Sequence, residues 1–122
     1  MNVVDSSGWL EYLSDGANAD FCAPAVLDVE NLVTPTICIY EVFKRVLLQM
    51  GEEKALETVG AISFGHIIEL TRDIALEAAR LSVESQLAIA DSIILATARL
   101  HHATLWTKDA HFAGIESVKY IR

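Results

Sequence analysis

The feature that most constrains this chain is the brevity of its apolar runs and the helical character of what lies between them. Val3-Val4, Leu32-Val33, the HIIEL stretch from His66 to Leu70 and the stretch from Ala103 to Trp106 are each too short for a helix. The segments between them are rich in helix formers with apolar residues three and four apart. Short apolar strands alternating with helices predict an α/β domain with a central, mostly parallel sheet of four to five strands. Helices cover both of its faces, making three layers, α/β/α. In such sheets ligands and chemistry sit outside the carboxyl ends of the strands.

Along the chain, strand one is expected at Asn2 to Val4, followed by a short helix over Gly8 to Leu13 that stops near Asp15-Gly16. The stretch ANADFCAPAVLDVENL reads as helical but interrupted by Pro24, which has no N–H to donate. After the Leu32-Val33 strand, Thr36 is placed to cap a helix that reaches Met50 and stops at Gly51. Further helices are expected from Glu52 to Ala61, from a Thr71 cap to Ser85, and from Ile89 to His102, with a fifth strand over Val118 to Ile121.

At 122 residues the chain has room for one domain, residues 1–122, and its 52% hydrophobic content makes it globular rather than disordered. No apolar run approaches the roughly 20 residues of a membrane span, and no secretory leader is evident, so a cytoplasmic protein is expected. The net charge of −8 argues against coating nucleic acid by bulk electrostatics, yet permits a basic rim around an acidic pocket. Cys22 and Cys38 lack metal-ligand spacing and sit among apolar residues, which suits buried free thiols.

Four acids do not look alike. Asp5 ends the first strand, where it either caps the next helix or faces the cleft; Ser6 and Ser7 are each able to cap in its place. Glu41 lies in TICIYEVFKRVLLQ, a helix expected to be buried over most of its surface, on a polar stripe with Lys44, Arg45 and Gln49. There it either pairs with Arg45 one turn on or looks into a cleft with Lys44 and Arg45 on the rim. Asp91 has Leu87, Ile94, Leu95 and Ala98 as its helical neighbours and no cation in reach, so it either opens the helix or finds a partner in the tertiary structure. Asp109 follows a strand end in TLWTKDAHF and is also suited to cap a short helix from Ala110.

Brought into one cleft, these carboxylates would repel one another. Two charges about 4 Å apart cost roughly 4 kcal/mol at an effective dielectric of 20. A hard divalent cation relieves that cost through oxygen ligands and suits metal-assisted phosphoryl chemistry.

The segments VVDSSGWL, TPTICIYEVFKRV, LAIADSIILATAR and TLWTKDAHF, in this order and spacing, resemble the PIN domain, and most of all the VapC-type ribonuclease toxins of prokaryotic toxin–antitoxin pairs. The resemblance covers essentially the whole chain. It implies a three-layer PIN-like fold and an endoribonuclease dependent on Mg²⁺ or Mn²⁺. The acidic quartet of the family falls on Asp5, Glu41, Asp91 and Asp109, as catalytic residues and metal ligands. Asp5 and Asp109 are expected to bind directly, Glu41 and Asp91 partly through water. Thr107 and Ser7 match hydroxyls that orient the site, and Lys44, Arg45 and Lys108 are candidate contacts to RNA. The resemblance also implies a homodimer and a VapB-type antitoxin whose basic tail enters the acidic groove. His111 departs from the common pattern, and reads as a surface histidine in preference to an RNA contact.

Two other function classes are open to such a chain. A phosphate-accepting receiver domain needs an acid on a central strand in mid-chain, and residues 46–68 contain no Asp. A PIN-like module that has lost catalysis and only binds RNA or a protein would be expected to have lost acids, and here all four are present.

Overall fold

A computed structural model describes residues 1–122. Five strands, β1 (Asn2–Val4), β2 (Leu32–Pro35), β3 (His66–Ile68), β4 (Thr104–Thr107) and β5 (Val118–Tyr120), form one sheet in the order β3-β2-β1-β4-β5. All four pairings are parallel, with Val3 opposite both Val33 and Leu105. Six helices connect them: α1 (Ser6–Leu13), α2 (Ala19–Leu27), α3 (Thr36–Met50), α4 (Glu52–Ile62), α5 (Arg72–Ser85) and α6 (Ile89–Leu100).

The period of two along a strand divides the core. Val3, Val33 and Leu105 pack on one face with Ile74, Leu81 and Ile94 of α5 and α6. Val4 and Leu32 pack on the other with Trp9, Cys22, Val42 and Ile62, from the helices α1 to α4. This is the three-layer α/β/α arrangement expected. Each such side chain, fully withdrawn from water, contributes about 1.5–3 kcal/mol. Helix α6 is buried on every side from Ser92 to Ala98, so its first turn is held firmly. Both cysteines are free and buried, as their surroundings suggest.

The chain runs from β1 outward to β3, then crosses back to place β4 on the other side of β1. The strand order thus reverses between β1 and β4, and a crevice opens beyond their carboxyl ends. Asp5 and the Thr107–Asp109 segment occupy those two ends.

Several expected boundaries shift. Helix α1 begins two residues early, at Ser6, because Asp5 takes the cap: its Oδ1 accepts the Gly8 N–H at 2.9 Å. Helix α2 runs through Pro24 without a break. The bond lost is to the carbonyl of Asp20, an exposed residue. Pro35, not Thr36, is the cap residue of α3; Thr36 is already helical and no side chain caps that end. Thr71 does cap α5, accepting the Ile74 N–H at 3.2 Å. Strand β3 ends at Ile68, β4 extends to Thr107, α6 ends at Leu100 and β5 at Tyr120.

Helix α3 is not buried over most of its surface. Only Cys38, Val42 and Val46 are buried, whereas Tyr40, Leu47, Leu48 and Met50 are exposed. Apolar residues on all sides of a helix do not distinguish a core helix from one whose outer face is left for a partner.

Candidate active site

Asp5, Glu41, Asp91 and Asp109 line one open pocket of about 320 Å³, together with Ser6, Ser7, Arg45 and the apolar Leu10 and Ile94. Each acid comes from a different element. Asp5 follows β1, Glu41 stands in the second turn of α3, Asp91 in the first turn of α6, and Asp109 follows β4.

Asp5 is 3% exposed and is both cap and pocket wall. The Ser7 hydroxyl donates to its Oδ1 at 2.7 Å, beside the Gly8 N–H, and the Thr107 hydroxyl donates to its Oδ2 at 2.6 Å. Each hydroxyl in turn accepts a backbone N–H, Ser7 from Lys108 at 3.1 Å and Thr107 from Asp109 at 2.9 Å. Two parallel relays therefore run from consecutive N–H groups of the β4 exit, through one hydroxyl each, to the two oxygens of Asp5. A hydroxyl has one proton, and both protons are used on Asp5. The 3.4 Å approach of Ser7 to Thr107 is thus a contact between oxygens rather than a further bond. Burial raises the pKa of Asp5 above its ordinary value of 3.8, against the opposing effect of Thr107, Gly8 and Ser7, and the nearby Asp109 raises it further.

Glu41 Oε1 accepts the Ser6 hydroxyl at 2.6 Å. It forms no ion pair with Arg45, the partner one turn on. Ser6 is a site residue that sequence reasoning assigned only to capping; the run of two hydroxyls after Asp5 is the signal that was available. Asp91 is pushed up from 3.8 to about 6, first by burial and then by the charges of Asp109, Glu41 and Asp5. Its predicted apolar neighbours Leu87, Ile94, Leu95 and Ala98 are all buried. Asp109 caps a 3₁₀ turn over Ala110–Phe112, its Oδ1 accepting the His111 N–H at 2.9 Å. The capping and pocket-facing alternatives therefore coexist at Asp5 and Asp109, because a carboxylate has two oxygens and several lone pairs.

Of the three candidate cations, only Arg45 lines the pocket. The Lys44 ammonium lies over the Tyr40 ring at 5.7 Å from its centre, and Lys108 Nζ is taken by Glu11 at 3.2 Å. His111 is a surface residue, its side chain 78% exposed, but its ring is not idle: Nδ1 lies 2.9 Å from Asp109 Oδ1.

No lysine or arginine forms an ion pair with any of the four acids. The donor set is oxygen-rich, anionic and unneutralised, which is the chemistry that fits a divalent cation. A cluster of Asp91, Asp109 and His111 has one donor atom from each residue within 4.8 Å of the others.

The comparisons with known proteins agree with this architecture. The PIN domain family model matches residues 3–117. No curated protein matches the chain. Among solved structures it is similar to a chain of a toxin–antitoxin complex from Klebsiella pneumoniae, 28% identical over 98% of this chain and 96% of that one, with a TM-score of 0.81. It shares the fold of FitAcB from Neisseria gonorrhoeae, at 19% identity, 100% and 97% coverage and a TM-score of 0.78. It also shares the fold of the sarcin–ricin-loop-cleaving toxin VapC20 of Mycobacterium tuberculosis, at 16% identity, 95% coverage of both chains and a TM-score of 0.75. With a family match that leaves out only two residues at one end and five at the other, the chain belongs to the PIN-domain family.

Proposed function

We propose that this chain, a single PIN domain over residues 1–122, is an endoribonuclease toxin that uses Mg²⁺ or Mn²⁺ to cleave RNA phosphodiester bonds. The observation that carries the proposal is the convergence of Asp5, Glu41, Asp91 and Asp109, from four elements, in one open pocket where no lysine or arginine is ion-paired to any of them. A cluster of like charges is a cost to folding, and its retention points to a cation that the folded protein binds.

Asp5 and Asp109 would hold the cation directly, and Glu41 and Asp91 partly through water. When bound, the cation supplies Lewis acidity, easing deprotonation of a water and neutralising charge on the phosphate. The relays through Ser7 and Thr107 keep the Asp5 carboxylate in one orientation, so its oxygens are positioned before substrate arrives. Ser6 does the same for Glu41. Burial and the charges of Asp109, Glu41 and Asp5 raise the Asp91 carboxyl in the metal-free protein, so a cation that offsets those charges favours its ionised form. Arg45 on the pocket wall is suited to a phosphate oxygen of the RNA backbone.

The same reading gives the chain an antitoxin with a basic tail as partner, since a −8 chain with an acidic pocket attracts such a segment. It also gives a homodimer, for which exposed apolar residues such as Tyr40, Leu48 and Met50 provide surface. No single helix is long and apolar enough to cross a membrane.

The test is cleavage of a pool of structured RNAs by the purified protein with Mg²⁺, Mn²⁺ or EDTA, beside Asp91→Asn prepared identically. Cutting that needs metal and is absent from the variant is the expected result. Equal cutting by both proteins, or cutting that survives chelation, would defeat the proposal.

A further inference from the structure

We infer that His111 supplies its Nδ1 as a ligand, beside Asp91 and Asp109, to the divalent cation of the acid pocket, and that this donor tilts the site from Mg²⁺ toward Mn²⁺. The inference rests on the proposed metal-dependent reading of the pocket and assigns a role there to a side chain outside the acidic quartet.

The distances carry it. Nδ1 of His111 is 2.9 Å from Asp109 Oδ1 and 3.8 Å from Asp91 Oδ2. A hydrogen bond accounts for the first separation but is too short-ranged for the second. Around an octahedral ion with bonds of about 2.1 Å, adjacent ligands stand about 3 Å apart and opposite ligands about 4.2 Å. The first separation matches adjacent ligands, the second lies between the two values, and all three donor atoms lie within 4.8 Å of one another. One ion is therefore able to touch all three after small side-chain adjustments.

The backbone explains why the ring is there. Asp109 Oδ1 accepts the His111 N–H, which folds the 3₁₀ turn back over the acid. Phe112, the next residue, is fully buried and anchors the turn in the core. The main chain is thus held on both sides of His111 while its ring stays at the pocket mouth, free to adjust. No lysine or arginine forms an ion pair with Asp91 or Asp109 and competes for their oxygens. Of the four histidines, only His111 places a ring nitrogen within 4 Å of a carboxylate that lines the pocket.

The chemistry gives the direction of selectivity. Mg²⁺ favours oxygen donors and gives up its waters reluctantly, whereas imidazole nitrogen suits transition metals. An all-oxygen pocket would have little reason to prefer Mn²⁺. One with an imidazole nitrogen at its mouth has one.

The experiment is electron spin-echo modulation of Mn²⁺ bound to the full chain, for the wild type, for wild type labelled with ¹⁵N-histidine, and for His111→Gln, with Mn²⁺ and Mg²⁺ affinities measured on each unlabelled protein. Nitrogen modulation should appear in the wild type, change its pattern on ¹⁵N labelling and vanish in the variant. Mn²⁺ affinity should fall about tenfold or more in the variant, a loss at least as large as removal of an outer partner typically causes, with Mg²⁺ affinity little changed. Bound Mn²⁺ without histidine modulation in the wild type, or with modulation that survives in His111→Gln, overturns the assignment of His111 and leaves the metal reading of the acids standing. A wild type that binds neither ion overturns both. If His111→Gln folds poorly, a wild type that binds Mn²⁺ without histidine modulation still overturns the assignment, and His111→Asn takes the variant's place.

Discussion

Removing the charge of Asp91 should stabilise the metal-free protein, and only above the acidic range. Its carboxyl is raised from an ordinary 3.8 to about 6, so between those values the folded chain binds more protons than the unfolded one. Stability is therefore greatest below about pH 4 and is lost as pH rises through 6. At about 1.4 kcal/mol for each pKa unit the full loss is roughly 3 kcal/mol. Water at the open mouth screens the neighbouring charges, which reduces it to about 1–2 kcal/mol. Asp91→Asn removes this term while preserving shape. In EDTA the variant should match the wild type near pH 3 and exceed it by about 1–2 kcal/mol at pH 7.5, or about 3–7 °C in Tm. Urea denaturation at a series of pH values measures the difference directly. Added Mn²⁺ should reverse the order, because it binds the wild-type fold more tightly. If the variant is less stable than the wild type at pH 7.5 without metal, or the gap does not change with pH, the four acids do not act on one another as described.

Thr107→Val keeps the buried volume but removes a donor to Asp5 and the acceptor of the Asp109 N–H. A loss of about 2–4 kcal/mol is expected by denaturant unfolding, with Thr107→Ser restoring most of it; a loss below about 1 kcal/mol would mean the relay is dispensable. Gly8→Ala would bring a Cβ within 2.8 Å of Val4 Cγ1 and 3.0 Å of Cys22 Sγ, so about 1–3 kcal/mol should be lost. Gly60→Ala, where an added Cβ meets nothing within 4 Å, should instead gain about 0.5–1 kcal/mol, and equal effects at the two positions would contradict the packing seen around Gly8.

The strand–helix alternation was legible because strands such as Val3-Val4 are short, branched and bounded by polar residues, and that alone leads to a parallel sheet with its site at the strand ends. The four acids were picked out less directly: taken singly, a cap or a solvated stripe was open at each, and the resemblance of four segments in order to the PIN domain is what grouped them. Local chemistry was harder to read. Asp5 caps α1 and faces the pocket at once, a combination that a choice between cap and ligand excludes. The pairing of Glu41 with Ser6 rather than Arg45 joins residues 35 apart and depends on how α1 and α3 pack, which periodicity does not encode. Lys108 seemed free for substrate because its partner, Glu11, lies far off in sequence. Pro24 stays within α2, where the residue whose carbonyl it deprives, Asp20, is exposed, and solvent exposure is a tertiary property. The exposed apolar face of α3 has the same composition as a buried one, and only the assembled chain distinguishes them.

The relays that hold Asp5 join residue 5 to residues 107, 108 and 109. A ribosome makes the first acid early, but the hydroxyl and N–H groups that orient it are translated about a hundred residues later. Until β4 emerges and pairs with β1, Asp5 has only its helix cap and the Ser7 hydroxyl, and the pocket lacks Asp109 altogether. Any activity that needs all four acids therefore begins only once the sheet has closed around β1. A partner arriving during synthesis meets a chain whose acid pocket is still incomplete.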